Sequence, residues 1–509
     1  MKSIMLYALL ALALMTSGGC TKWLDGAQPI DQNLDKTQFA SEFGVNSVLN
    51  GIYRTLSAEK LYGGVMTMTA IELLAHYYFY EEDLLNKEDF IYFSYMSRYL
   101  YNEADVKAPF SGVWSASYSA IFQLNKLISE VSASVGVLTE GKKSMVLGEA
   151  YGLRAFLHLD LFRLFGSAAQ PIPYNTSAEV VPHEKKAPEE FFALLLQDIE
   201  TAKELLKSDP ILTDGVLDLT QIAPTDNVTD QEIFDRYLRC YRMNYYAVQA
   251  LQARALMFKG DAPEAARVAQ SVINNALGDD KPFRWADKNS MEKNRDYIFY
   301  SEVIFGIYNL DLYTTWEKHC YGSRPGKTYA VAVDNLTQNI FKFDNTGGDM
   351  SLWEDLRVKQ WVASRAGQGL MVSYKLANFT RTNENDPRFF FQPLIRMSEM
   401  YYIVAESFLL SGKVPEAVTL LNEVRFRRGS QRESLPNPND ASADLAFDLL
   451  EAEYYKEFYA EGQAFFYLKR RQSNKIFDAN RGGKVNVATY STGTTGIYDI
   501  PIPESETNL

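Results

Sequence analysis

Apolar residues recur at helical spacing between residues 243 and 274, and this pattern predicts two antiparallel helices. The residues on the apolar face of the first helix lie four, three and four positions apart: Tyr246, Ala250, Ala253 and Met257. Gly260 ends this helix, because glycine tolerates the left-handed conformation of a helix C-terminus, and Pro263 suits the first turn of the next. Because so short a pair cannot bury its apolar face alone, the pattern predicts a tetratricopeptide-type hairpin with neighbouring helices.

A second segment, residues 397–429, repeats the pattern around its own glycine. In both segments an alanine lies seven positions before the glycine: Ala253 before Gly260, and Ala405 before Gly412. The two glycines are 152 residues apart, far more than the roughly 34-residue period of a tandem array. We therefore expect a large insertion between two halves of one helical scaffold, and we expect the function to lie in that insertion.

Periodicity and capping residues predict further helices at 41–60 (with Ser41 as N-cap), 113–131, 146–166, 191–206, 415–428 and 443–470. Residues 297–313 instead alternate and are rich in β-formers, which predicts a strand. The chain is thus predicted to be mainly α, with a single domain over residues 41–509. The helical scaffold is predicted to cover about 41–60, 113–276 and 397–470, and ligand-facing excursions about 61–110 and 277–396.

Residues 1–19 have the features of a secretory signal peptide, with a lysine, an apolar run and small residues at the cleavage zone. The apolar run is shorter than the roughly 20 residues that a bilayer span needs. Ser17-Gly18-Gly19-Cys20 is similar to a bacterial lipoprotein box, although Ser17 stands where leucine is usual. We predict lipidation of Cys20 and a tether over residues 20–40; the alternative is ordinary signal cleavage with Cys20 incidental.

The net charge of −13 argues against nucleic acid or an anionic membrane surface as the main partner, since both attract clustered basic residues. The basic run at residues 425–428 fits a helix C-terminus better than an anion site. The four histidines lack zinc spacing, and no nucleotide or esterase motif occurs, so the sequence predicts no catalytic or metal site. The acidic trio at 81–83 lacks calcium-loop spacing. For Cys240 and Cys320, a disulfide and two free thiols both stay open.

Several segments, in order and over essentially the whole chain, resemble the SusD/RagB family of Bacteroidetes outer-membrane lipoproteins. The matching features are the lipobox followed by Trp23-Leu24-Asp25, the helix with Trp114, Tyr118 and Asn125, the stretch 153–174, the late repeat with Arg396, Glu399, Ala405, Glu406, Asn422 and Arg425, the stretch 457–462, and the stretch 500–506. The departures are Tyr454 in place of an arginine, Tyr467 in place of an aspartate, and SAAQP in place of an acidic residue after Phe165-Gly166. These departures put local salt bridges in doubt, while the family resemblance holds.

The resemblance implies a SusD-like body in which four tetratricopeptide-type hairpins pack against an irregular, ligand-facing half with short strands. It implies a lipid-anchored protein on the cell surface at the outer membrane, which captures oligosaccharide and delivers it to a SusC-like TonB-dependent transporter. It implies no enzymatic activity and no cofactor, and a structural calcium has no motif to support it. Three alternatives stay open: a peptide-binding RagB-like lipoprotein, a tetratricopeptide-type adaptor, and a surface glycosidase.

Sugar binding requires flat aromatic rings for the apolar face of a sugar, with amides and charged groups for its hydroxyls. Four of the six tryptophans lie in the insertion 277–396, and a run of four aromatics occupies 77–80. The predicted ligand-binding residues are therefore the aromatics Tyr77, Tyr80, Tyr313, Trp316, Tyr321 and Trp353, with Asn309, Asp311 and Arg324 as polar partners. For any one of these aromatics, packing in the core is the alternative interpretation.

Overall fold

The computed structural model describes the chain over residues 38–80, 91–179, 181, 183–216, 232–293, 295–323, 327–347, 349–377, 387–490 and 496–506. The predicted signal peptide, Cys20 and most of the predicted tether lie outside these described residues, as do Arg324 and the acidic trio 81–83. Within the described ranges, no helix is long and apolar enough to cross a membrane.

Helices dominate the regular structure, which confirms the predicted mainly α fold. In chain order the α-helices are α1 Glu42–Leu56, α2 Ala70–Leu74, α3 Ile91–Ser97, α4 Ala104–Ala133, α5 Glu140–Phe165, α6 Pro188–Leu205, α7 Tyr245–Lys259, α8 Ala262–Ala276, α9 Lys288–Lys293, α10 Leu312–Cys320, α11 Val333–Asn335, α12 Met397–Leu410, α13 Val414–Arg427, α14 Ala443–Phe458 and α15 Gln463–Arg471.

Short antiparallel strands complete the described fold: β1 Ile172–Pro173, β2 Lys185–Lys186, β3 Val303–Tyr308, β4 Val331–Ala332, β5 Trp361–Ala363, β6 Leu370–Ser373, β7 Phe391–Arg396, β8 Lys475–Phe477 and β9 Lys484–Asn486. They pair in the orders β1–β2, β3–β7, β4–β6–β5 and β8–β9. The strand predicted within 297–313 is confirmed as β3, and its pairing with β7 runs from Val303 opposite Arg396 to Tyr308 opposite Phe391.

The two hairpins that the sequence separates by a long insertion pack directly on each other. Helix α7 packs along α8, α12 along α13, and α8 against α12. As predicted, Gly260 ends α7 in the left-handed conformation, with a φ of 97°. Residues 277–396 are therefore an insertion between two neighbouring hairpins of a single helical scaffold. That its hairpins are of the tetratricopeptide type stays a prediction.

Three helices differ from their predicted extents by more than four residues or in their division. Helix α5 begins at Glu140 rather than at 146. Helix α4 begins at Ala104 rather than at 113 and continues through Pro109, because Val106 and Phe110 extend its buried face. The helix predicted over 443–470 is two helices, α14 and α15, separated at Gly462. Gly462 has a φ of 74°, and a Cβ at this position would lie 2.1 Å from the carbonyl oxygen of Met66, so only glycine fits there.

A buried network of ion pairs joins the scaffold to the insertion around Glu457 at the end of α14. Its carboxylate lies 2.6 Å from the Arg396 guanidinium, 2.5 Å from that of Arg428 and 2.8 Å from that of Arg357. Arg428 also lies 2.6 Å from Glu302, just before β3. Burial alone would raise the pKa of Glu457, but the three guanidinium groups hold it well below its ordinary value.

The basic run at 425–428 is therefore more than a helix C-terminus. Arg425 and Arg428 are fully buried, and Arg425 lies 2.8 Å from Asp344. Only Arg427 of the three arginines has the exposed position expected of a terminal basic residue, where it pairs with Glu423. Burying a guanidinium requires a carboxylate partner, so carboxylates rather than the helix dipole stabilise these two arginines.

Both described cysteines, Cys240 and Cys320, are free and buried thiols, so the question that the sequence left open is decided against a disulfide between them. Burial raises the pKa of each thiol.

Lys469 in α15 is a buried lysine that lies outside the ion-pair network. Its ammonium donates a hydrogen bond to the carbonyl oxygen of Leu164 at 2.7 Å, and the residue is 6% exposed. Burial lowers the pKa of Lys469 to about 7, although the charge of Asp499 raises it slightly. Burying the charged ammonium of Lys469 therefore lowers the free energy of unfolding.

We expect Glu457→Gln to lower the free energy of unfolding by about 3–5 kcal/mol in urea titrations, because it leaves three buried guanidinium groups undercompensated. The matched control is Glu423→Gln in α13, whose pair with Arg427 is exposed and should cost at most about 1 kcal/mol. Equal costs for the two variants would contradict the structural role assigned to Glu457.

We expect Lys469→Met to stabilise the protein by on the order of 2 kcal/mol near pH 6, where folded and unfolded chains both carry the ammonium. Above about pH 7 the unfolded chain, with an ordinary lysine pKa near 10.4, holds more protons than the folded one. Wild-type stability therefore rises relative to the variant, and the difference in free energy of unfolding shrinks toward pH 10. The exposed Lys259→Met is the control, and a pH-independent difference for Lys469→Met would contradict the burial argument.

Candidate functional site

Four aromatic side chains, which we call the aromatic patch, meet where α10 faces the β5–β6 hairpin: Tyr313, Trp316, Tyr321 and Tyr374. The ring of Trp316 is the centre, with its centroid 5.8 Å from that of Tyr313, 6.1 Å from Tyr321 and 4.8 Å from Tyr374. Tyr321 is 38% exposed, and Tyr313 and Tyr374 are half-buried. The patch therefore presents tyrosine rings to solvent over a buried indole.

Helix α10 is held against the hairpin through Trp316. Its indole Nε1 donates a hydrogen bond to the carbonyl oxygen of Ser373 at 2.8 Å, and Leu312 and Cys320 on the same helix face are buried. On the opposite side, Glu59 accepts hydrogen bonds from Lys318 at 2.7 Å and pairs with His319 at 2.8 Å. These contacts fix α10 between the turn after α1 and the hairpin.

The hairpin itself is attached at both ends to the buried ion-pair network. Arg357, in the turn before β5, pairs with Glu453 and Glu457. Lys375, which directly follows Tyr374, lies 2.6 Å from Glu461 and donates to the carbonyl oxygen of Glu457 at 2.8 Å. Since both ends are fixed to the end of α14 and the residues after it, the network positions the patch.

Arg365, at the tip of the β5–β6 hairpin, adds a charged group to the patch. Its guanidinium carbon lies 4.0 Å from the centroid of the Tyr321 ring, and the side chain is exposed. A guanidinium over an aromatic face is a favourable cation–π contact. Burial raises the pKa of Tyr374, the neighbouring Tyr321 raises it further, and the charge of Arg365 lowers it. A guanidinium carries five N–H donors, and because that of Arg365 is exposed beside the rings, these donors are available to a polar ligand.

Of the nine predicted ligand-binding residues, the structure brings Tyr313, Trp316 and Tyr321 together. Trp316 is itself a core residue at 3% exposed, so it supports the patch from below and does not face a ligand. Asp311 is exposed immediately before α10. Arg324 lies outside the described residues.

The other four predicted residues are core residues, and for them the structure supports packing instead of ligand contact. Tyr77 and Tyr80 are at most 1% exposed, and the hydroxyl of Tyr77 donates to the carbonyl oxygen of Tyr455 at 2.8 Å. Trp353 is 4% exposed and donates to the carbonyl oxygen of Gly347. Asn309 is buried and accepts from the backbone N–H of Asp311 at 3.0 Å. Because these side chains are buried, they present no ring face or amide at the surface, although the amide nitrogen of Asn309 has no hydrogen-bond partner within the described residues.

Sequence reasoning missed Tyr374 and Arg365. A signal was present: the Ser-Arg-Ala-Gly-Gln-Gly stretch at 364–369 has turn composition and precedes four residues, 370–373, that lead to Tyr374. The stretch predicts a hairpin that carries Arg365 at its tip. Nothing in the local pattern indicates that this hairpin packs beside α10.

Within the described ranges, no group of three or more His, Cys, Asp or Glu side chains is arranged to hold a metal ion. The four rings of the patch, with the Arg365 guanidinium over one of them, have a composition that suits non-covalent recognition of a polar ligand with flat apolar faces.

Two family models match separate parts of this chain. A family model described as the SusD family matches residues 380–509. A second, SusD-like model, described as starch-binding and associating with the outer membrane, matches residues 22–223. The two models together match more than half of the chain, and the chain belongs to the SusD family. No curated protein sequence matches it significantly.

Solved structures agree with this fold. A SusD superfamily protein from Bacteroides thetaiotaomicron is 19% identical, with a TM-score of 0.63 over 91% of this chain and 97% of its own. A SusD-like carbohydrate-binding protein from Bacteroides vulgatus is 16% identical, with a TM-score of 0.64 over 92% and 96%. A laminarin-binding SusD-like protein is also 16% identical, with a TM-score of 0.58 over 92% and 97%. At these identities the likeness establishes the fold alone.

We expect Trp316→Ala to lower the free energy of unfolding by about 3–5 kcal/mol, because it empties the centre of the patch. Trp316→Phe keeps a ring but leaves the buried carbonyl of Ser373 without its donor, which should cost about 1–3 kcal/mol. Urea titration measures both, with the exposed Tyr321→Ala as control. A Trp316→Ala variant as stable as the wild type would show that the indole does not support α10.

Proposed function

We propose that this protein is a cell-surface glycan-binding lipoprotein that captures oligosaccharide at the aromatic patch. We further propose that it delivers the oligosaccharide to a SusC-like TonB-dependent transporter of the outer membrane. The observation that carries the proposal is the exposed tyrosine surface beside Arg365, held on a rigid scaffold in a chain of the SusD family. In this proposal the protein binds its ligand and does not turn it over.

The chemistry of the patch supports a sugar ligand. One face of a hexose ring carries C–H groups that pack on an aromatic plane, and its hydroxyls need donors and acceptors at the rim. Tyr321 and Tyr374 supply planes on either side of Trp316. Arg365 supplies donors and Asp311 an acceptor. A purely apolar ligand would leave these two charged groups without a role.

The relatives support the same class of ligand. One solved neighbour binds laminarin, another is a carbohydrate-binding protein, and the model that matches residues 22–223 describes starch-binding proteins. Specificity resides in the segments placed on a fold rather than in the fold itself, so these names support a glycan in general and do not select one for this chain.

Attachment to the outer membrane is proposed through a lipid on Cys20, followed by the tether of residues 20–40. The description of the second family model, which includes association with the outer membrane, supports this location. A lipid anchor with more than one acyl chain holds a protein stably at a membrane. Delivery to the transporter is proposed because a captured oligosaccharide needs a channel through the same membrane.

We expect Tyr321→Ala to weaken oligosaccharide binding about tenfold, which is the loss of one stacking contact of roughly 1.4 kcal/mol. Tyr321→Ala combined with Tyr374→Ala should weaken it by about a hundredfold. Binding is measured by affinity gel retardation over a set of soluble polysaccharides, followed by calorimetry with the polysaccharide that retards the wild type.

The control is Tyr245→Ala, which removes a half-buried tyrosine at the start of α7, a helix that carries no residue of the patch. Thermal unfolding verifies that each variant is folded. A folded double variant with wild-type affinity would refute the patch as the binding site. Release of shortened glycan would point to the glycosidase alternative, and retention of peptides alone to a peptide ligand.

A further inference from the structure

A second concave feature, which we call the tail cleft, lies between the N-terminal half of α4, residues 173–179, 181 and 183–185, and the C-terminal stretch 500–506. It is partly open to solvent and has a volume of about 1630 Å³. This volume exceeds the roughly 300–1,000 Å³ of ordinary small-molecule pockets and leaves room for an oligomeric ligand. None of the four patch residues lines it.

The floor of the tail cleft is one face of α4. Three serines lie on this face four residues apart, one turn after another: Ser111, Ser115 and Ser119. Their short side chains leave room above the helix, and Ser115 and Ser119 are exposed. The half-buried rings of Tyr118 and Phe122 lie beside these serines and also line the cleft.

Direct contacts hold the walls in place. On one side, the ammonium of Lys107 lies 2.7 Å from the Glu504 carboxylate. On the other, Lys185 donates to the backbone carbonyl of Glu506 at 3.4 Å. The C-terminal stretch thus runs from one wall to the other. The hydroxyl of Tyr118 donates to the carbonyl oxygen of Pro173 at 2.8 Å, which ties the floor to the second wall. The cleft is therefore formed without a ligand.

The charges around the cleft select among ligand classes. Four glutamates line it: Glu179, Glu184, Glu504 and Glu506. Lys107 and Lys185 are engaged by the tail, and two of the glutamates are also paired, Glu504 with Lys107 and Glu184 with Lys186. The other two glutamates, Glu179 and Glu506, would repel an anionic ligand. Burial raises the pKa of Tyr118, and the charge of Glu506 raises it further. A protein partner fits less well, because charged residues are depleted at the centre of protein interfaces.

We infer that the tail cleft is a second binding site for neutral oligosaccharides. Serine hydroxyls, asparagine amides and carboxylates pair with sugar hydroxyls, and Tyr118 and Phe122 pack on the apolar faces of the sugar rings. This inference rests on the proposed glycan-binding function and adds to it a binding stoichiometry of two.

The test counts binding sites on the mature protein by calorimetry and native mass spectrometry, with maltohexaose, laminarihexaose and other neutral hexasaccharides as probes. Ser115→Trp fills the tail cleft from an exposed floor position, and Ser119→Trp is a second blocking variant in case the first does not fold. Ser132→Trp, exposed near the other end of α4 and outside the cleft lining, is the matched control. The Tyr321→Ala, Tyr374→Ala double variant disables the aromatic patch.

We expect the wild-type chain and the Ser132→Trp chain each to bind two hexasaccharides. We expect the variant with the blocked cleft to bind one, the patch double variant to bind one, and the variant that carries both sets of substitutions to bind none. A wild-type stoichiometry of one that only the patch variant abolishes would overturn the second site and leave the proposed function intact. Binding of no hexasaccharide by the wild type would overturn both.

A third result would reassign the cleft. If Ser115→Trp and Ser119→Trp leave the glycan stoichiometry at that of the wild type but abolish co-purification with an outer-membrane transporter, the cleft is a protein-docking surface. That outcome would also overturn the inference, because the blocked floor would then have no effect on sugar binding.

Discussion

The buried carboxylate of Glu457 is the contact on which the arrangement of this protein depends. Three guanidinium groups converge on it from three parts of the chain: the turn before β5, the end of β7 and the end of α13. Glu457 is shared by all three groups, and Asp355, Glu453, Glu461 and Glu302 give them further carboxylate partners. Such pairing is needed because an unpaired charge in the interior costs several kcal/mol. The insertion and the second hairpin are thus held in one relative position by mutual neutralisation of charge, in addition to apolar packing.

The network also reaches the aromatic patch. Arg357 precedes β5 and Lys375 follows Tyr374, and both make ion pairs with glutamates at or just after the end of α14. The hairpin between them carries Arg365 at its tip, while Trp316 of α10 bonds to the hairpin at Ser373. The exposed rings of the patch are in this way built on a deeply buried base. Under the proposed function, such support would hold the rings in position before a ligand arrives and lower the entropic cost of binding.

The body of the protein and the aromatic patch are formed by different parts of the chain. The helical hairpins pack on each other and form the body, and the patch belongs to the excursion between them. Loops and short strands on such a body can change without unfolding it, which is why members of one fold family can bind different ligands. The tail cleft lies elsewhere, on the N-terminal half of α4 and beneath the C-terminal stretch, where the scaffold itself supplies a concave surface.

The helical hairpins, the turn at Gly260, the cap at Ser41 and the strand β3 could be read from the sequence, because periodicity, capping and turn chemistry act between residues close in the chain. Which aromatic residues are buried and which are exposed could not be read from the sequence. Tyr77 and Tyr321 carry the same side chain, yet Tyr77 is buried against Tyr455, 378 positions later, while Tyr321 faces solvent under Arg365. Burial is set by partners distant in the chain.

The same distinction applies to charge. Arg425 and Arg428 have the local pattern of a solvated helix end, and only the approach of Asp344, Glu302 and Glu457 makes them interior residues. The sequence by itself determined the helices, the insertion between the hairpins and the family resemblance. The tertiary structure alone decided which rings and charges stay exposed, because exposure depends on the packing of segments that the chain order leaves far apart.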